Sequence, residues 1–346
     1  MVVQRPLAIG PVALDNLRLS SASKSEIYKD VTSDDIALVV QNSRESLEQS
    51  ERKANRLVQQ RIDALELPRP KTEAELWADE HTIRKKIGEF AEVELKPIIE
   101  DHVERAVVQG YQTADELLRM SLDASGIPHD LLSNANNLAN TIGQDALRDP
   151  LANLIRSMPD HAVQFFRQAI LAGVDVNLDD LFLSFARADR TATFTAYRDA
   201  KLQRYRDNRN VVKGWIWHSA LGTRTCPVCF EKHGSFHELD EGFSSHTNCR
   251  CTPIPKTKTW KELGFNVPDH LESSIEIEEG ASIFARLDTG DKVRILGPSA
   301  YAAYERGEIT LADFTTYKMG SDGKIRPQRA SNKSLGIERK KKDDNT

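Results

Sequence analysis

All four cysteines of this 346-residue chain fall in one short window, Cys226, Cys229, Cys249 and Cys251, with His246 between the two pairs. A Cys-x-x-Cys turn presents two thiolates about a metal's width apart. A second cluster of His and Cys some twenty residues later can close a tetrahedron of soft ligands. The spacing predicts a structural zinc site. Cys226 and Cys229 form the first pair, and two of His246, Cys249 and Cys251 complete the set. His233 and His237 are further donors of the same type nearby. Arg224 and Arg250 flank the cluster, and their charge is expected to lower the thiol pKa values.

Other uses of these cysteines fit less well. Disulfides suit small secreted scaffolds. This chain is long, and its opening run to Asp15, broken by Gly10 and Pro11, does not read as a secretory signal. A redox site would not need the second cluster. Zinc deaminases place a His-x-Glu upstream of Pro-Cys-x-x-Cys, whereas here His218-Ser219-Ala220 lacks the acid and Thr225 precedes Cys226. All four metal positions can be filled by Cys and His, which predicts a closed site. No phosphate-binding glycine loop and no nucleophile elbow is present. The expectation is a non-enzyme, with a zinc-dependent or C-terminally fused DNA-processing or toxin-type enzyme as the alternative.

The first half reads as helices. Apolar residues recur at helical spacing from Ile36 through Val40, Leu47, Val58 and Ile62 to Leu65, ended by Leu67-Pro-Arg-Pro70. A second stripe runs Ile83, Ile87, Phe90, Leu95, Ile99, Val103 and Val107. Pro97 should kink it and Gly110 should end it. Shorter helices are expected around Gly126-Ile-Pro128, Asp149-Pro150 and Pro159, with Gly173 as a stop. Such stripes mean packing between helices. The Ile36 to Leu65 stripe is the one most suited to docking on a partner.

A long helix is expected from Leu178 to about Asn208. Its second half carries Arg198, Lys201, Arg204, Arg206 and Arg209 beside Tyr197 and Tyr205. These cations form either a solvated helix face, offset by Asp199 and Asp207, or a phosphate-contacting surface. After Asn210 the pattern turns to strand, and alternation puts Trp215 and Trp217 on one side. Thr252 to Lys258 is again extended. The fold class is therefore mainly α, with a small α+β zinc-stapled unit, a helical N-terminal half and a flexible basic C-terminal tail. The expected organisation is a flexible segment at 1–30, a helical docking region at 31–176, the zinc-bearing domain at 177–260, a small region at 261–320 and a disordered basic tail at 321–346. Arg339, Lys340, Lys341 and Lys342 in that tail are further candidates for contact with DNA.

Taken together, Trp215-Ile-Trp217, Arg224-Thr-Cys-Pro-Val-Cys229, His233-Gly234 and His246-Thr-Asn-Cys-Arg-Cys251 resemble the signature of the phage Mu F-like head morphogenesis family, minor capsid proteins of tailed bacteriophages. Ala186-Arg-Ala-Asp-Arg-Thr191 resembles the helix that precedes that signature, departing from it by the inserted Asp189-Arg190. Gly222-Thr223 also stand where an Asp is usual. The resemblance covers Phe165 to Lys258. It implies a minor head protein bound to the portal inside the procapsid, meeting the major capsid and scaffolding proteins. It also implies a role in head assembly or in packaging and delivering DNA, in the interior of the virion head and, during assembly, in the host cytoplasm. The net charge of −5 argues against an overall DNA sleeve, so contact with viral double-stranded DNA would be weak, local and non-specific. No stretch is long enough to span a bilayer, so no membrane partner is expected.

Overall fold

A computed structural model describes residues 31–133, 145–176, 178–267, 275–319 and 325–337. About 60% of it is helical, with a small sheet portion, in keeping with the mainly α expectation. The first helix, α1 (Ser33–Asp63), begins at a capping box. Thr32 Oγ1 accepts from the Asp35 amide at 3.2 Å, and the Asp35 carboxylate accepts from the Thr32 amide at 2.8 Å. Its apolar stripe, Ile36, Val40, Leu47, Ala54, Val58 and Ile62, is buried along its length. That face belongs to the core and is not a free docking stripe.

Helix α2 (Glu73–Phe90) passes through a π turn at Ala91–Leu95 into α3 (Lys96–Ser125). Pro97 sits at the head of α3, as expected of a residue with no amide to donate. The widened turn before it replaces the sharp kink. Gly110 does not end the helix. A Cβ there would lie 2.4 Å from the Tyr197 carbonyl oxygen, so the glycine is where two helices cross backbone to backbone. The helix stops instead at Gly126, in the left-handed region at φ 63°. Helix α4 (Asp145–Ala172) contains both Pro150 and Pro159, and Gly173 terminates it at φ +66°. Helix α5 (Leu178–Asp207) packs most extensively against α3. The expected boundary at 176/177 lies between the end of α4 at Ala172 and the start of α5 at Leu178. Yet Phe194, Tyr197 and Ala200 of α5 share one core cluster with Ile83, Phe90, Ile99 and Phe166 of the other helices. The first half and the metal-bearing segment are therefore packed together.

A three-stranded antiparallel sheet follows, in the order β2-β1-β3, from β1 (Val212–His218), β2 (Phe236–Glu238) and β3 (Thr252–Thr257). Trp215 and Trp217 share one face, as the alternation predicts. Ile216 points to the other, where it clusters with Ile254, Leu117, Ile36 and Val40. Pro253 and Pro255 lie opposite Trp217 and Trp215, and β3 tolerates them because it is an edge strand. Between β1 and β2 lies the short helix α6 (Pro227–Lys232).

Helices α7 (Gly280–Arg286), α8 (Thr289–Leu296) and α9 (Pro298–Glu305) build a smaller core with Phe284, Leu296 and Phe314, into which Phe230 of α6 inserts. Part of the expected flexible tail is ordered. Strand β5 (Ile325–Arg329) pairs antiparallel with β4 (Thr315–Met319), from Thr315 opposite Arg329 to Met319 opposite Ile325. The scarcity of apolar residues there suggests a loose tail, but a hairpin is held by its backbone ladder. Residues 1–30, 321–324 and 338–346 lie outside the described residues, and with them the expected N-terminal segment and Arg339, Lys340, Lys341 and Lys342. Among the described residues no helix is long and apolar enough to cross a membrane.

Candidate metal centre

Two turns of the same kind carry the donors. In the first, the Cys226 carbonyl accepts from the Cys229 amide at 3.0 Å, and Pro227 starts α6 with its fixed φ. In the second, the His246 carbonyl accepts from the Cys249 amide at 3.2 Å. Asn248 takes φ 62° there, a left-handed conformation that asparagine tolerates better than most residues. Each turn throws two donor side chains to one side.

The donors meet. Cys226 Sγ lies 3.3 Å from Cys229 Sγ, and His246 Nε2 lies 3.1 Å from each of them. Cys249 Sγ lies 3.9 Å from Cys229 Sγ. Cys226, Cys229 and His246 form one group of potential ligands, and Cys229, Cys249 and Cys251 form another. A tetrahedron with metal–sulfur bonds of about 2.3 Å has sulfur–sulfur edges of about 3.8 Å. The cluster thus needs an expansion of only a few tenths of an ångström to hold an ion. Cys229, Cys249 and Cys251 are buried, and no disulfide links the four cysteines.

His246 is oriented as a ligand should be. Its Nδ1 lies 2.8 Å from the Thr247 carbonyl, to which it can donate, leaving Nε2 for the cluster. Cys251 Sγ instead lies 3.2 Å from Ser219 Oγ, whose hydroxyl is also 2.6 Å from the Cys229 carbonyl. The sulfurs and the imidazole perturb one another. The hydrogen bond from the Cys229 thiol, and then His246, hold Cys226 down at about 5, against the opposing effect of burial. Burial would lower His246, but Cys226 and Cys249 carry it up to about 11. Cys226 is thus shifted toward its thiolate and His246 toward its imidazolium, and a metal would compete with protons for these same donor atoms. His233 and His237 stay out of the cluster. Ser219 N–H donates to His233 Nδ1 at 2.9 Å, and His237 stacks on Trp215 with ring centroids 4.1 Å apart.

The cations of α5 are the main surprise. Arg198 is 3% exposed. It donates from Nε to the Cys251 carbonyl at 2.7 Å, from Nη2 to the Cys249 carbonyl and from Nη1 to Ser245 Oγ at 3.0 Å, with its guanidinium 4.9 Å from the Phe243 ring centroid. Lys201 is fully buried and donates to Thr252 Oγ1 at 2.9 Å. Arg204 is buried against Asp115 and the Ser133 carbonyl. The expected phosphate-contacting stripe is corrected on this point: these three side chains are consumed inside the fold, and one of them braces the metal loop. Arg206 donates to the Leu239 carbonyl at 2.9 Å, while Arg209 is exposed, 3.8 Å from Asp240. The flanking cations also differ from expectation. Arg250 is ion-paired with Glu48 at 3.0 Å and Arg224 is exposed. Among the cations, it is Arg198 that lowers the Cys249 thiol, together with the neighbouring sulfurs and against burial. Nothing in the local sequence marked Arg198 for this role, because its partners lie some fifty positions downstream.

Residues 174–254 match the family model described as Phage Mu protein F like protein. The matched span runs from the turn before α5 into β3 and takes in all five donors and Arg198. Over that span the chain is similar to phage Mu F-like proteins. No curated protein and no solved structure matches the chain.

Proposed function

We propose that the chain is a minor head protein that joins the procapsid through the portal and aids head assembly, DNA packaging or delivery. The match of residues 174–254 to the Mu F-like family carries this reading. Head residence implies contact with other head proteins, here the portal first and the major capsid and scaffolding proteins after it. The helical half offers a surface for such contact. Trp77, 78% exposed on α2, shares a surface pocket with Arg167 of α4, and Leu171 and Val174 are exposed nearby in the chain. Trp77 is the side chain we assign to that contact.

The metal is zinc, bound by Cys226, Cys229, His246 and Cys249. Cys249 is preferred to Cys251 because its thiol interacts with both Cys229 and His246, whereas Cys251 meets Cys229, Cys249 and Ser219. Filled by three thiolates and one imidazole, the site is closed, and its role is to hold β1, α6 and β3 together. The protein acts by binding and not by catalysis. Contact with DNA, where it occurs, is weak and carried by Arg206, Arg209 and the C-terminal cations.

Quantitative mass spectrometry of purified procapsids and mature particles tests this. The expected result is a few copies per head, absent from particles when Trp77→Asp is introduced into an otherwise folded protein. Particles that assemble at normal titre with no trace of the chain contradict it.

A further inference from the structure

A structural zinc ion takes four donors, and this cluster offers one more than that. The donors fall into two groups of three, Cys226, Cys229 and His246 in one and Cys229, Cys249 and Cys251 in the other, with the ligand atoms of each group within 4.8 Å of one another. Cys229 belongs to both. A single zinc ion leaves Cys251 without a metal, although its thiol is buried beside the sulfurs of Cys229 and Cys249.

A sulfur shared by two sets of donors is placed as a bridging thiolate would be. Its lone pairs allow one cysteine to bind two ions, which an imidazole nitrogen cannot do. The distances suit ions with three ligands each. Metal–sulfur bonds of about 2.3 Å spread evenly in a plane give sulfur–sulfur edges of about 4.0 Å. Cys249 Sγ lies 3.9 Å from Cys229 Sγ. In the other group the edges are 3.1 and 3.3 Å. That group opens by roughly 0.6–0.7 Å on loading, given such bond lengths.

The surrounding charge points the same way. The cleft beside the sulfurs is lined by Arg44, Arg224 and Arg250 and by Glu45 and Glu48. Arg198, behind the ligand loops, is buried against neutral acceptors. Four arginines less two glutamates leave two positive charges in excess. Lys201, further back, is driven toward its neutral form by burial. One zinc ion with three thiolates and an imidazole carries a single negative charge. Two monovalent ions with four thiolates carry two, which matches the excess.

We propose that the cluster is also a site for two soft monovalent ions of the copper(I) type, one on Cys226, Cys229 and His246 and one on Cys229, Cys249 and Cys251, with Cys229 as the bridge. Thiolates are soft ligands that select copper(I), and this ion accepts three ligands where structural zinc takes four. The copper form replaces the zinc form, since both use the same donors. The inference rests on the cluster being a metal centre and not on the chain residing in a phage head.

The test uses the full-length protein as purified, analysed for zinc and then titrated with copper(I) without oxygen. A copper(I) chelator is present throughout to strip loosely held ions. The expected result is one zinc per chain at the start, released as two copper(I) bind, with X-ray absorption showing a copper neighbour to each copper. Cys251→Ser should still carry one zinc, which shows that it is folded, and its copper(I) count should halve to one. The proposal is overturned if the parent holds any number of copper(I) ions other than two, if Cys251→Ser holds any number other than one, or if the two ions show no copper–copper neighbour. A parent that binds two copper(I) but carries no zinc overturns the zinc assignment and leaves this one standing. A parent with one zinc that exchanges for one copper(I) does the reverse.

Discussion

Arg198→Met tests how the metal loop is held. The native guanidinium makes three hydrogen bonds, to the carbonyls of Cys249 and Cys251 and to Ser245 Oγ, in a setting only 3% exposed. Hydrogen bonds from a charged donor contribute roughly 1.5–3 kcal/mol each. Methionine keeps the stem packed near Phe194 and Phe243, so part of the deficit is recovered, but two carbonyls are left without their donor. The expected net destabilisation is about 3–5 kcal/mol, the range for breaking a buried charged network from one side. Metal affinity should fall about 10- to 100-fold, as when other residues that orient metal ligands are replaced. Urea unfolding followed through Trp215 and Trp217, with chelator competition for the metal, reads both quantities. Arg198→Lys should be intermediate, since an ammonium cannot reach three acceptors in one plane. If Arg198→Met changes stability by less than about 0.5 kcal/mol, as a typical surface substitution does, and leaves metal affinity unchanged, the bracing role is wrong.

Cys229→Ser should abolish metal binding and unfold β1, α6 and β3 together, whereas Cys251→Ser should keep one equivalent; metal content and proteolytic nicking of the two variants decide between them. Gly110→Ala should destabilise by about 1–3 kcal/mol, the cost of overpacking, because its Cβ would meet the Tyr197 carbonyl at 2.4 Å; thermal unfolding checks it. Acid should destabilise the metal segment through His218 and His233. Burial pushes both below their ordinary 6.5, His233 to about 4. A base with a depressed folded pKa gives its full stabilisation above pH 6.5 and loses it as pH falls through about 4. Replacing His233 by Gln should flatten Tm against pH in that window. For DNA, Lys201→Met should leave the salt dependence of binding unchanged, while replacing Arg206 and Arg209 by Ala should lower its slope by about 0.9 for each phosphate no longer neutralised.

Much of this architecture is legible in the chain because it rests on local chemistry. The Cys226-x-x-Cys229 and His246-x-x-Cys249 turns set their own geometry, the Trp215/Trp217 alternation follows from the pleat, and α5 shows its ends through Asn208 and the strand-forming residues after it. What the sequence hid depends on tertiary context. Gly110 looks like a helix stop and is a crossing point, since only the partner backbone reveals the need for a missing Cβ. Arg198, Lys201 and Arg204 look like a cationic face, and their acceptors come from loops distant in the chain. Pro150 and Pro159 look like breaks, yet α4 runs through both.

The closed metal centre is the claim on which the rest of the unit depends, and metal analysis with X-ray absorption on the full-length protein tests it most directly. The account predicts one zinc per chain with three sulfurs at about 2.3 Å and one nitrogen at about 2.0–2.1 Å. A folded protein that carries no metal, with all four thiols reacting freely, would contradict it.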